Sequence, residues 1–188
     1  MTFSRARFYY VVFILAICSW FLADLFEPEE VKIIKYVDNS PDYFSTGYYK
    51  KEMGVNGLIK NELTADKMIH FSDDGETHLE NPVMTLYNSD QSPWVIESEG
   101  GVLDSDRDHL LLTGQVLINR AKSKKTKQFN ISTSELRVKL STNYAETDQW
   151  AEIKDDHNRT AGVGMEATFV EPVKLKFLSK VKGRYEVN

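Results

Sequence analysis

The segment PWVIESEGGVLDSDRDHLLLTGQVLINR, Pro93–Arg120, reads as two strands and the turns that join them. Trp94, Ile96 and Ser98 fall on one face of the first strand. Leu110, Leu112, Gly114, Val116 and Ile118 fall on one face of the second. A period of two is the strand period. Between the strands stand Gly100-Gly101 and Asp104-Ser105-Asp106-Arg107-Asp108, both rich in turn formers. The chain repeats this pattern. Leu79-Glu80-Asn81-Pro82-Val83 and Leu112-Thr113-Gly114-Gln115-Val116 share a Leu…Val spacing, with Ala65-Asp66 and Ser98-Glu99 at the same offset before them. A weaker third copy starts at Thr133-Ser134-Glu135. A period of about 33 residues signals supersecondary units stacked on one continuous core.

The flanks continue in the same style. Tyr43–Tyr49 is aromatic and β-prone. Leu58–Leu63 and Lys67–Phe71 read as two strands around Thr64-Ala65-Asp66, and Ser72-Asp73-Asp74-Gly75 is a hairpin signal. In Thr77–Tyr87, Leu79, Val83, Thr85 and Tyr87 share a face, and Asn81-Pro82 marks a bulge or an edge. Phe129, Ile131 and Thr133 alternate. The phase then switches near Ser134-Glu135, so that Leu136, Val138 and Leu140 share a face. Gly162–Met165 resumes a strand. Val173, Leu175 and Phe177 close the chain opposite Lys174 and Lys176, followed by Val181, Tyr185 and Val187. About a dozen short strands, spaced ~8–12 residues apart, with no sustained helical period after the N-terminus, predict an all-β domain of serial antiparallel hairpins. Jelly rolls, sandwiches and solenoid-like sheets all fit.

The 188 residues suffice for one domain and an appendage, and a composition 41% hydrophobic and 27% charged is that of a globular chain. A net charge of −5 argues against broad nucleic-acid binding. The appendage is N-terminal. Phe8–Ala23 carries no charge, and extended to Phe26 it makes a helix of about 28 Å, close to the ~30 Å hydrocarbon core. Arg5 and Arg7 precede it and Asp24, Glu27, Glu29 and Glu30 follow, which keeps the N-terminus cytoplasmic and sends the rest across. A cleaved signal peptide lacks its small-residue site, because Trp20-Phe21-Leu22 is bulky. Leu15-Ala16-Ile17-Cys18 imitates a lipobox, but Ile17 is large and apolar residues continue beyond the cysteine. The favoured reading is an uncleaved single-pass anchor carried by Phe8, Val12, Leu15 and Trp20. The chain then divides into a cytoplasmic N-terminus (1–7), a transmembrane anchor (8–26), a stalk (27–42) and a β domain (43–188). Cys18 is the only cysteine, so no intrachain disulfide forms.

Chemistry-bearing patterns are missing. His70, His78, His109 and His157 are scattered and form no zinc motif. No nucleophile elbow and no phosphate-cradling glycine loop is present, so neither an enzyme nor a bound cofactor is expected. Asp104-x-Asp106-x-Asp108 imitates a calcium loop, but His109 and Gln115 stand where Gly and Glu are required, which favours a solvated turn. Arg120, Lys122, Lys124, Lys125 and Lys127 form a basic loop with two readings, a run that holds phosphates and, as the commoner case for charges on a loop tip, a solvated loop. The lysines of the last strand either guard an edge or accept a partner strand. Lys174, Lys176, Arg184 and Val187 mark that candidate partner edge.

Leu79–Val83, Trp94-Val95-Ile96 with Leu103-Asp104, and Leu110–Val116 together resemble the LptC family, inner-membrane-anchored proteins of lipopolysaccharide export. The similarity runs from the anchor to Gly183-Arg184-Tyr185-Glu186-Val187. The resemblance implies a twisted antiparallel β-jelly-roll with an open apolar interior, preceded by one transmembrane helix. It implies three partners: lipopolysaccharide, the permease subunits of an inner-membrane ABC transporter, and a soluble periplasmic bridge protein of the same fold. It also implies location in the inner membrane with the β domain periplasmic, and no energy-consuming site. Lipid tails need a long apolar trough shielded from water, which one apolar face of a strand row supplies. Leu79, Leu112, Val116, Ile118, Val138, Leu175, Phe177 and Tyr185 are the candidate lining. The competing reading is an anchored scaffold that binds partners by strand addition and carries no ligand.

Overall fold

The computed structural model describes residues 3–25, 40–87, 92–123, 128–155 and 158–185. The chain forms two units, Met1–Val37 and Asp38–Asn188. The first contains helix α1, Phe3–Leu25. Residues 8–20 are exposed all round, from Phe8 at 66% to Trp20 at 79%. Among the described residues no helix is long and apolar enough to cross a membrane. Most of the expected stalk lies outside the described residues; Pro41 and Asp42, assigned to it, open the first strand instead.

The second unit is one antiparallel sheet. Its strands are β1 (Pro41–Met53), β2 (Ile59–Phe71), β3 (Thr77–Glu80), β4 (Val83–Leu86), β5 (Trp94–Leu103), β6 (His109–Arg120), β7 (Phe129–Lys139), β8 (Tyr144–Lys154), β9 (Arg159–Thr168) and β10 (Lys174–Arg184). They lie in chain order, with β3 and β4 sharing one slot between β2 and β5. The sheet is therefore a meander, without the crossovers of a Greek-key roll. Among the described residues it has ten strands rather than a dozen, because the expected turn at Thr64-Ala65-Asp66 stays extended inside β2, with Ala65 paired to Tyr48. Gly100-Gly101 is likewise strand, paired with Thr113 and Leu112. A side chain on Gly100 would stand 2.7 Å from the Thr113 hydroxyl, and one on Gly101 would stand 3.2 Å from Pro82, so close packing explains both glycines.

A line of irregularities crosses the sheet at mid-strand. The register shifts between Ser98 and Gly100, Leu112 and Gln115, Ser132 and Arg137, Thr147 and Trp150, and Ser179 and Lys182. Positive φ recurs along the same line, at Gly47, Asn81, Gly114, Glu135, Gly164 and Lys180. Bulges bend strands and reset which residues face inward. In β5 the buried set changes from Trp94 and Ile96 to Gly101 and Leu103; in β7 it changes from Ile131 and Thr133 to Leu136 and Val138. The same reset corrects the β4 expectation. Past Asn81-Pro82, Met84 and Leu86 are buried, while Tyr87 turns outward to donate to Glu62 (2.7 Å). Side chains hydrogen-bond across the bulges, two of them to backbone groups. Asn81 Nδ2 donates to Asp66 (2.9 Å), Gly114 N–H donates to Glu135 Oε1 (3.0 Å), and Thr147 Oγ1 donates to the Ser134 carbonyl (2.8 Å).

Bent along this line, the sheet doubles back on itself. The Trp94 ring at the start of β5 meets Phe169, beyond the end of β9, at 5.0 Å. Lys60 Nζ, in β2, donates to the Ser141 carbonyl between β7 and β8 (3.2 Å). Neither pair belongs to neighbouring strands, so these contacts join two leaves that face each other across the core.

Candidate functional site

The inner faces of the two leaves make one apolar cluster that extends from Leu63 in β2 to Phe169 beyond β9. Leu79, Leu112, Val116, Ile118 and Val138 all lie in it, and Leu112, Val116 and Ile118 have no exposed surface. Leu175 and Phe177 on β10 are half-buried and pack against the cluster. The Phe177 ring lies over Gly162, where an added Cβ would stand 2.9 Å from Cδ1. Tyr185 departs from this set. It follows the last pair of the ladder, Arg184 with Arg159, so no strand covers it, and it is 67% exposed. Its ring covers Gly183 and its hydroxyl is 3.4 Å from Thr160 Oγ1.

The interior thus grades from closed to open. It is sealed around β5–β7 and reaches solvent along β10, through Leu175, Phe177 and Tyr185. Beside β1 it grades outward in the same way. Met68 packs against the cluster, and His70, next on that face, stacks on Tyr43 (4.7 Å), which is half-exposed. Among the described residues both outer strands are edges: β1 pairs only with β2 and β10 only with β9. On β10, Lys174, Lys176 and Arg184 are exposed, and Lys176 pairs with Glu166 at 3.1 Å. Val187 lies outside the described residues.

The rims of the two leaves differ in charge. The turns β2–β3 and β5–β6 carry Asp73, Asp74, Asp104, Asp106 and Asp108. The opposite strand ends carry Arg120, Lys122, Lys154 and Arg159, the last two ion-paired with Glu152. The calcium-like stretch is used as a turn. Asp106 accepts the backbone N–H of Asp108 (2.8 Å) and of His109 (3.2 Å), while Asp108 accepts from Ser141 N (2.7 Å) and Oγ (2.9 Å). Asp104, Asp106 and His109 do gather, with ligand atoms within 4.8 Å, all exposed. Beside them an outer hollow of about 410 Å³ is lined by Leu111, Arg137, Lys139, Tyr144 and Glu146. Arg137 is tied to Glu146 (3.1 Å) and Asp148 (2.8 Å). Burial, then the bond to Glu146, pushes the Tyr144 phenol up to about 12.

Sequence reasoning missed two parts of the interior. Phe169 lies outside any strand, where periodicity carries no signal. Arg120 was assigned to the basic loop, yet it is 8% exposed and lies over Trp94 and Phe129. Its even phase with Val116 and Ile118 was the available clue. Lys124, Lys125, Lys127 and His157 lie outside the described residues.

A bent sheet with an apolar interior and two free edges is built to hold apolar chains or to join other sheets, so the class is that of transport and scaffold proteins. The chain belongs to the LptC-related lipopolysaccharide-assembly family, whose model matches residues 9–186. Among curated proteins none matches the chain. Membership gives the chain a role in lipopolysaccharide transport at the cell envelope, with lipopolysaccharide and the export complex as its general partners.

Proposed function

We propose that the protein is one station of a lipopolysaccharide bridge. It accepts the acyl portion of lipopolysaccharide from an inner-membrane ABC transporter and passes it to a soluble periplasmic protein of the same fold. The apolar run 8–26, which extends past the last residue of helix α1, is its single-pass anchor, with the N-terminus cytoplasmic and the β domain periplasmic. The observation that carries this reading is the contiguous apolar cluster of the inner face, sealed at Leu112 and Val116 and rising to the surface at Leu175 and Phe177. Acyl chains entering there exchange water for apolar side chains, worth about 25 cal/mol per Å². The all-round exposure of Phe8, Val12, Leu15 and Trp20 supports the anchor, since such a helix needs apolar surroundings. The exposed edge at Lys174, Lys176 and Arg184 supports strand addition by the soluble partner.

One observation favours the scaffold reading: Leu112, Val116 and Ile118 have no exposed surface, so their own side chains fill the centre. Photo-crosslinking in living cells separates the two. A crosslinking amino acid goes at Leu175 or Phe177, with Lys174 as the outward control. Lipopolysaccharide adducts at the inward positions alone are the expected result. Protein adducts at Lys174 with no lipid adduct anywhere, in folded and anchored protein, would leave only the scaffold.

A further inference from the structure

Trp94 and Arg120 stand at one rim of the interior, at the paired ends of β5 and β6, and each holds a polar hydrogen that no atom among the described residues receives. They are register partners, the first residue of β5 and the last of β6. The Arg120 guanidinium carbon lies 4.5 Å from the centre of the Trp94 ring and 5.0 Å from that of Phe129. Phe169, from the facing leaf, closes over Trp94. Trp94 is fully buried and Arg120 is 8% exposed. Arg120 Nε and Trp94 Nε1 are both buried without an acceptor.

A guanidinium stacked on aromatic faces keeps its charge, and its donors point only within its own plane. An unreceived N–H on a buried cation is held at a cost that an anionic acceptor removes. Burial opposes the charge on Arg120 and outweighs Glu171, two residues beyond Phe169, which favours it electrostatically. That carboxylate leaves Nε without a hydrogen bond. The aromatic cage stands at the border of the apolar cluster, on the basic rim. An anion held at this rim is within reach of chains that lie in the interior.

We propose that Arg120 and Trp94 form a subsite for one phosphate group, the head of an amphiphile whose chains occupy the interior. Arg120 supplies a charged donor, Trp94 a neutral one, and Phe129 and Phe169 exclude water around both. The subsite rests on the reading of the interior as an acyl trough, and it adds a polar address to a surface that otherwise reads only apolarity.

The test uses the full chain, labelled with 15N, in phosphatidylcholine nanodiscs. The readout is the buried Arg120 Nε–H resonance, assigned by its cross-peaks to the Trp94 ring, alongside binding isotherms. Dodecyl phosphate is expected to move this resonance and to bind about tenfold more tightly than dodecyl maltoside, the scale of one charge-assisted hydrogen bond. Arg120→Lys, which keeps the charge but loses the planar fork, is expected to erase that preference. Inorganic phosphate assigns the source. A shift with phosphate alone means a site for the free anion, whereas a shift with dodecyl phosphate only means a lipid head. An unmoved resonance while dodecyl maltoside still binds overturns the subsite and leaves the trough standing. Absence of binding by either amphiphile overturns both. Should Arg120→Lys fail to fold, the wild-type resonance decides alone.

Discussion

At Asp106 a single carboxylate organises the β5–β6 turn. The backbone N–H of Asp108, then the side chain and backbone of His109, hold its pKa down at about 2. The folded turn prefers the ionised form. Its contribution is therefore complete above the ordinary value of 3.8 and is lost as pH falls through about 2. The Asp108 amide resonance is expected to titrate with a midpoint near 2, and Asp106→Ala to abolish that transition. In the interior, Leu112→Ala deletes a side chain with no exposed surface. It is expected to cost about 2–5 kcal/mol, measured by urea denaturation. The same substitution on β10, Leu175→Ala, costs less, because that side chain is already half-exposed. At this scale the sequence was legible where residues stay in phase. Leu112, Val116 and Ile118 follow a period of two and lie where it puts them. Tyr185 does not, since its neighbour strand has ended. Arg120 does not, since charge suggests solvent and only the stacked rings of Trp94 and Phe129 reveal burial.

Strands fail to be readable at their bulges. The phase change at Ser134-Glu135 is visible in the sequence, and so is the break at Asn81-Pro82. Gly100-Gly101 misleads: glycines that signal a turn serve here to let Thr113 and Pro82 approach. The bulges themselves invite comparison of two glycines with nearly the same backbone. Gly57 (φ 74°) has open space around it, whereas a side chain on Gly114 (φ 75°) would overlap the Glu99 carboxylate. Gly57→Ala carries only the left-handed backbone cost, about 1 kcal/mol. Gly114→Ala is expected to exceed it by a further ~1 kcal/mol, because the exposed Glu99 carboxylate can swing aside while its Cβ, 3.0 Å from the added carbon, cannot; this is read as a larger drop in urea midpoint. Equal losses at the two positions would mean that β6 relaxes around its bulge and that the bend of the sheet is soft.

For the molecule as a whole, what the sequence could not show is how distant strands meet. Period and repeat predict a row of hairpins. Only the contacts of Lys60 with Ser141 and of Trp94 with Phe169 reveal that the row is folded over. If lipid passes between the leaves, those contacts must part. Cysteines at Lys60 and Ser141, joined by a short bismaleimide in a Cys18→Ser background, are expected to suppress the lipid adducts at Phe177. Either cysteine alone should leave them intact; undiminished adducts in the tethered protein would mean that lipid enters without separation of the leaves. The chain-ordered meander has a bearing on birth as well as on work. Each new strand pairs with one already made, the strand just before it or, for β4, the strand before that, so the sheet can assemble as the polypeptide is synthesised, with no early segment waiting for a late one. β10 is laid last, on a ladder already complete behind it. Nascent chains therefore offer β9 as a temporary edge, open to misdirected pairing until the final strand arrives.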